Sequence, residues 1–336
     1  MRFTRSTAFL PIAALTVGAL LLAGCSPATD ESAEHPSTAS PAEAEITQVV
    51  TFGDSWSDAG TFGGLVFGTS EGGAWPQLLA EMYGDTQEPN RVIGDDGTVE
   101  EQGGLNYAEG GAYVAPLSDS DPDTPKAMTA QRDAFLEQHE SFQSDQLVTV
   151  WAGGNDILTY LGSKDPERQQ RFIDGTPTPA ELEQATNDVI DVADREAEFV
   201  SSLIEAGAER IVVVNMIDLG VTDNAEGIGD GGNAVASSLT ATFNLALAEA
   251  LPDDPRVALY DVAGLVERIE ADPGEFGFTI VDADACTDGS YSCGPDAWAT
   301  PDADRTYPFA GFGHFTAGFR ELIAGEVHEF VADTWG

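Results

Sequence analysis

Lysine is almost absent. Of 336 residues only Lys126 and Lys164 are lysines, and Lys and Arg together number 14 against 58 Asp and Glu, a formal net charge of −44. Such a surface repels phosphate backbones and anionic headgroups, which excludes nucleic acid as a partner and charge-driven binding to anionic membranes. The depletion goes beyond what solubility requires of a secreted protein. It points to a salty medium, where screening over a few ångströms relieves the self-repulsion. Histidine is scarce as well, limited to His35, His139, His314 and His328, and cysteine is limited to Cys25, Cys286 and Cys293. No phosphate loop, nucleotide fingerprint or zinc signature is present, so no cofactor and no metal site is expected. The acidic runs Asp119–Asp123 and Asp282–Asp284 lack the spacing of a calcium loop and read as solvated loops.

No apolar run reaches the ~20 residues of a membrane-spanning helix. The longest, Phe9 to Leu22, follows Arg2 and Arg5 and ends in Ala23-Gly24-Cys25. A basic start, an apolar centre and small residues make a secretory signal, residues 1–24. Leu22-Ala23-Gly24-Cys25 resembles a bacterial lipobox, which implies cleavage before Cys25, lipid on its sulfur, and a protein exported and anchored to the cell envelope. Residues 25–45 are rich in Ser, Thr, Pro, Ala and Glu and read as a flexible tether. In an exported chain the remaining close pair, Cys286 and Cys293, reads as a disulfide closing a surface loop. Two thiolates without a nearby His are too few for a metal site.

What the chain does have is 42% hydrophobic residues and 36 glycines, enough for a sizeable core with many tight turns. Continuously apolar strands are expected at 46–52, 146–151, 210–215 and 257–261, and a short one at 105–108. Helices are expected at 75–83, 129–138, 179–206, 233–251, 262–270 and 316–330, with Gly207 past the end of the longest. Continuously apolar strands alternating with helices predict an α/β fold, a mostly parallel sheet covered on both faces. No repeat and no second linker interrupts residues 46–336, which read as one domain, expected to be monomeric.

The stretch Val49-Val50-Thr51-Phe52-Gly53-Asp54-Ser55-Trp56-Ser57-Asp58 is an apolar strand ending in a sharp polar break. A serine there sits on the rim where open α/β sheets place their chemistry, and Ser55 is the candidate nucleophile. Its hydroxyl needs a base, and only His314 has a comparable context, since His35 falls in the tether and His139 and His328 on helices. A second motif, Gly68-Thr69-Ser70-Glu71-Gly72, fits G-x-S-x-G but lacks the strand before and the helix after that a nucleophile elbow needs.

Four blocks in order resemble those of GDSL/SGNH-type serine hydrolases, in particular the secreted acylhydrolase and lecithinase-like branch. They are Gly53-Asp54-Ser55, Asn106-Tyr107-Ala108-Glu109-Gly110-Gly111-Ala112, Gly153-Gly154-Asn155-Asp156 and His314. The likeness runs over nearly all of residues 46–336. It implies a three-layer α/β/α, flavodoxin-like fold and hydrolysis of a small acyl ester or lipid through a Ser55 acyl-enzyme, with His314 as general base. The resemblance assigns the oxyanion to the N–H of Ser55, the N–H of Gly110 and the amide of Asn155, with the choice between Gly110 and Gly111 open. One departure stands out. The family pattern has Asp three residues before the histidine, where this chain has Gly311, and Phe315 stands where a proline is usual. Three consequences are open: a Ser55–His314 dyad oriented by a backbone carbonyl, an orienter at Asp302 or Asp304, or a weakened enzyme. The same scaffold also serves acyltransferases and carbohydrate deacetylases, and a surface lipoprotein that only binds is the reading from another class.

Overall fold

The computed structural model describes residues 45–115, 127–159, 165–221 and 230–336. The expected signal, Cys25 and the tether up to residue 44 lie outside the described residues, as does the acidic loop around Asp119–Asp123. The chain divides into residues 1–39 and 40–336, and every described residue belongs to the second unit. No helix among the described residues is long and apolar enough to cross a membrane.

Four largely apolar runs become four parallel strands. Gln48–Gly53, Gln146–Trp151, Ile211–Val214 and Val257–Tyr260 lie side by side in that order. Val49 and Val50 are both fully buried, as are Leu147 and Val148, so both faces of the sheet are covered. Beyond the first strand, Thr51 N–H donates to Leu105 O at 3.0 Å and Tyr107 N–H donates to Thr51 O at 2.8 Å. The expected strand at 105–108 is thereby reduced to one parallel bridge, because Asn106 is held from its other side by Glu88–Asn90. Counting that segment, the order across the sheet is 2-1-3-4-5, the flavodoxin-like doubly wound arrangement. Its crevice opens between the ends of the first and second long strands, just before Ser55 and Asn155.

The helices form where their signals predict. Pro179–Glu205 opens on a capping box between Thr178 and Glu181 with Pro at its first turn. It ends before Gly207, whose φ of +99° is a left-handed stop. Trp75–Met82 and Ala317–Trp335 pack together against the sheet. Several short elements escaped the sequence reading, among them a hairpin and two helices. The hairpin Arg91–Ile93 with Val99–Glu101 has a fully exposed second strand, and Gly154–Leu158 is a single short helix. Pro166–Ile173 buries only Phe172 and starts because the Asp165 carboxylate accepts from Glu167 N–H and Arg168 N–H.

The carboxyl-terminal third builds one wall of the crevice. Cys286 and Cys293 form the expected disulfide, with Cα atoms 5.8 Å apart. Ser292–Cys293 pairs with Gly68–Thr69, and Phe309–Gly311 pairs with His314–Phe315. Arg320, 1% exposed, binds the carbonyls of Phe67, Thr69, Glu71 and Phe315, and so fastens the 67–71 loop to the last helix. The approach is close enough that a Cβ on Gly68 would lie 1.9 Å from Phe315 O. Ser70 of the second motif is exposed at the end of a two-residue strand, with no helix directly after it.

Candidate active site

The turn after the first strand depends on Gly53. A Cβ there would lie 2.3 Å from the Trp151 carbonyl of the neighbouring strand. The side chain of Gln131, fully buried, pairs with Gly53 as a strand would, accepting from its N–H at 2.9 Å and donating to its carbonyl at 2.8 Å. Asp54 then folds the turn, its Oδ1 accepting from Trp56 N–H at 3.0 Å. Between these fixed points the chain presents Ser55 to the crevice.

Ser55 Oγ and His314 Nε2 lie 2.9 Å apart, brought together across 259 residues of sequence. The Trp56 indole N–H donates to Gly313 O at 3.1 Å and ties the serine turn to the histidine hairpin. The imidazole is 7% exposed. Phe67 stacks on it at 5.2 Å and Tyr291 meets it edge-on at 5.9 Å. For Nε2 to accept the serine proton, the ring proton must sit on Nδ1. That atom is buried and makes no hydrogen bond of good geometry to any described residue, although the Gly311 carbonyl lies beside it and favours the cation.

Neither expected carboxylate orients the ring. Asp302 is exposed and accepts from the Thr300 hydroxyl. Asp304 lies 3.5 Å from the Arg305 guanidinium. At Gly311 itself, a Cβ would point toward Asp284 and Cys286, with no atom of His314 among its near neighbours.

The donors around Ser55 are distributed differently from the expectation. Gly110 N–H, assigned to the oxyanion, donates to Asp58 Oδ2 at 2.8 Å. The Asp58 carboxylate organises the whole turn, accepting also from Gly60 and Thr61. Gly111, with φ of +81°, turns the next peptide. Its N–H and that of Ser55 carry no hydrogen bond to a described residue, and both residues line the crevice. Asn155 donates to Ala112 O at 2.9 Å and keeps only a long 3.4 Å contact with Asp54 for its second amide hydrogen. The Gly110 turn is braced from behind by a buried bidentate pair of Arg91 and Glu109, at 2.7 and 2.8 Å. Neither member carries a sequence signal, and the pair forms only through the hairpin that the sequence reading missed.

The crevice holds about 420 Å³, within the range of a small-ligand site. Its walls are mostly apolar, through Phe62, Phe67, Leu158, Tyr291 and Phe312. Behind it sit acids with little water. Burial pushes Asp54 up to about 7, helped by Asp156 and Asp58, and pushes Asp58 up to about 6 and Asp156 up to about 7. Among the described residues no group of three or more His, Cys, Asp or Glu is arranged to hold a metal ion.

Burial lowers His314 from the usual 6.5 to about 4, with the Arg320 cation adding to the effect and the Gly311 carbonyl opposing it. The base is therefore neutral and ready over most of the pH range. The acid limb of kcat/KM for an uncharged ester is expected near pH 4 to 5, not at the ordinary histidine value. A pH–rate profile checks this, and a limb at 6.5 would mean a solvated ring.

A phosphatidylcholine-sterol acyltransferase of Aeromonas hydrophila is 25% identical over 278 residues, 77% of this chain and 71% of that protein. A protein described as uncharacterized, from the trpE-trpG intergenic region of Pseudomonas putida, is 25% identical over 319 residues; the chain spans about half of it, 49%. A phospholipase A1 from Streptomyces albidoflavus, 16% identical, aligns over 76% of this chain and 95% of its own, with a TM-score of 0.40. Residues 49–324 match the GDSL-like lipase/acylhydrolase family, most of the chain and every block of the site, and the chain belongs to that family.

Proposed function

We propose that this chain is a carboxylic-ester hydrolase that works through an acyl-enzyme on Ser55. The observation that carries the reading is the 2.9 Å contact between Ser55 Oγ and His314 Nε2 at the floor of an apolar crevice. Ser55 Oγ attacks the ester carbonyl carbon while His314 Nε2 takes its proton. The negative charge that forms on the carbonyl oxygen is met by the N–H groups of Ser55 and Gly111 and by the second amide hydrogen of Asn155. His314 then gives its proton to the departing alkoxide, the alcohol leaves, and water repeats the sequence on the acyl-enzyme to release the acid and restore the serine.

With no carboxylate hydrogen-bonded to Nδ1 among the described residues, packing by Phe67 and the nearby Gly311 carbonyl hold the imidazole, and the pair works as a dyad. The apolar walls also suit an alcohol in place of water at the second step. Acyl transfer is therefore the second reading, and the acyltransferase of Aeromonas hydrophila is consistent with it. The disulfide fits an oxidising compartment. Together with the lipobox-like Leu22–Cys25 it supports an exported, lipid-anchored enzyme.

A fluorophosphonate probe tests the site against a protein that only binds. The expected result is one covalent label on Ser55, absent from Ser55→Ala and slow to form on His314→Ala. A chain left unlabelled while folded, or a label on Ser70, would overturn the reading.

A further inference from the structure

Phe312 stands where a phenylalanine is out of place. Gly311 and His314 pair across the hairpin, so Phe312 and Gly313 are the two central residues of its turn, with φ of +51° and +68°. Positive φ at both positions defines the tight hairpin turn that Asn-Gly fills without strain. A bulky ring in the left-handed region costs backbone energy, and such strain is kept where something else requires the side chain. What this position supplies is an aromatic ring on the crevice wall, 4.8 Å from the ring of Tyr291. Tyr291 is itself 59% exposed, a large apolar surface left open to solvent. It is nonetheless fixed. Its loop is closed by the Cys286–Cys293 disulfide, and its carbonyl accepts from Gly68 N–H at 2.8 Å. Two aromatic rings are thus held at the crevice by a strained turn on one side and a cross-linked loop on the other.

Their place relative to His314 says which part of a substrate meets them. In the mechanism above, His314 Nε2 must hand its proton to the departing alkoxide, so the alcohol half of the ester lies beside the imidazole. The acyl half extends from Ser55 past the oxyanion donors. Tyr291 meets the imidazole edge-on, and Phe312 continues that surface outward. We propose, resting on that mechanism, that Tyr291 and Phe312 form the alcohol subsite and select esters of apolar, ring-bearing alcohols over esters of small polar ones.

The test holds one half of the ester constant and varies the other. kcat/KM covers every step up to departure of the alcohol, whereas kcat is set in part by hydrolysis of an acyl-enzyme common to all esters of one acid. The measured quantity is therefore the ratio of kcat/KM for benzyl butyrate to that for methyl butyrate, compared among wild type, Tyr291→Ala and Phe312→Asn. Losing one aromatic partner is expected to lower that ratio roughly 3- to 10-fold. The ratio of methyl octanoate to methyl butyrate should move less than about 2-fold by the same contact argument. Asparagine suits the turn, so Phe312→Asn should keep or raise the melting temperature while it loses discrimination. A purely structural role for the ring would not produce that combination. An unchanged benzyl-to-methyl ratio in both variants, or a change confined to the acyl series, overturns the proposal while leaving the Ser55 mechanism intact. Full hydrolysis by Ser55→Ala would overturn both.

Discussion

Replacing Ser55 with alanine should lower ester hydrolysis by ~10⁴- to 10⁶-fold, the loss seen when a nucleophile is removed and only binding and oxyanion donors remain. The size follows from what the hydroxyl does here. It meets His314 Nε2, and among the described residues no backbone group hydrogen-bonds to it. Gly53 is held by Gln131, Asp54 by Trp56, and the turn as a whole by Asp58. The variant should therefore fold with its melting temperature nearly unchanged, so the loss reports chemistry. The departure at Gly311 sets the starting point. Among the described residues no carboxylate hydrogen-bonds Nδ1 to stabilise the imidazolium that forms in the transition state, and a buried ring pushed down to about 4 is a weak base. Wild-type turnover should be modest for that reason, which makes the lower end of the range the firmer expectation. Purified wild type and variant, assayed on a short-chain nitrophenyl ester, decide it. A Ser55→Ala variant that keeps more than about a hundredth of the rate would require another nucleophile.

The sheet and the serine–histidine meeting were legible in the sequence because each rests on a local signal. Gln146–Trp151 is largely apolar and buried along its whole length, and Gly53 marks the only kind of residue that fits against the Trp151 carbonyl. The details that escaped depend on contacts distant in sequence. Whether Gly110 or Gly111 faces the crevice is decided by the Asp58 carboxylate capturing one N–H, and no spacing rule announces that capture. Asp302 and Asp304 looked near enough to serve His314, yet a short helix at Ala303–Thr306 commits their neighbourhood to packing Ala303 and Tyr307. Arg320 lies on a helix whose apolar periodicity gives no reason for a buried cation. Its reason is the set of carbonyls in the 67–71 loop, some 250 residues earlier.

The second large effect lies behind the site. Glu196 sits mid-helix in Pro179–Glu205, fully buried, and neither carboxylate oxygen has a hydrogen-bond partner among the described residues. Burial raises it well above the usual range, with Asp156 and Asp54 adding their repulsion. An acid whose folded pKa is raised is a proton that the folded state holds and the unfolded state gives up. Its cost is absent below the unfolded value and grows as pH rises, until the folded value is passed. Asp54 and Asp156, at about 7, and Asp58, at about 6, act in the same direction from their unfolded 3.8. His314 works against them. Its pKa is lowered to about 4, so it gains stability between pH 4 and 6.5, but it is one group against four. Stability should therefore be highest near pH 4, where the unfolded carboxyls begin to ionise, and fall by several kcal/mol toward neutrality, the reverse of ordinary acid denaturation. Surface repulsion at −44 pushes the same way, and salt separates the two sources. About 2 M salt shortens screening to a few ångströms and should flatten the surface part, while the buried part stays. Glu196→Gln keeps the shape and removes one titration. It should raise stability at pH 8 and change it little at pH 4.5. Denaturant unfolding of both proteins at the two pH values measures the difference. An equal effect at both would mean that the carboxyl titrates alike in the folded and unfolded chains, and a destabilised variant at pH 8 would mean that Glu196 is ionised in the fold and held by a charge partner.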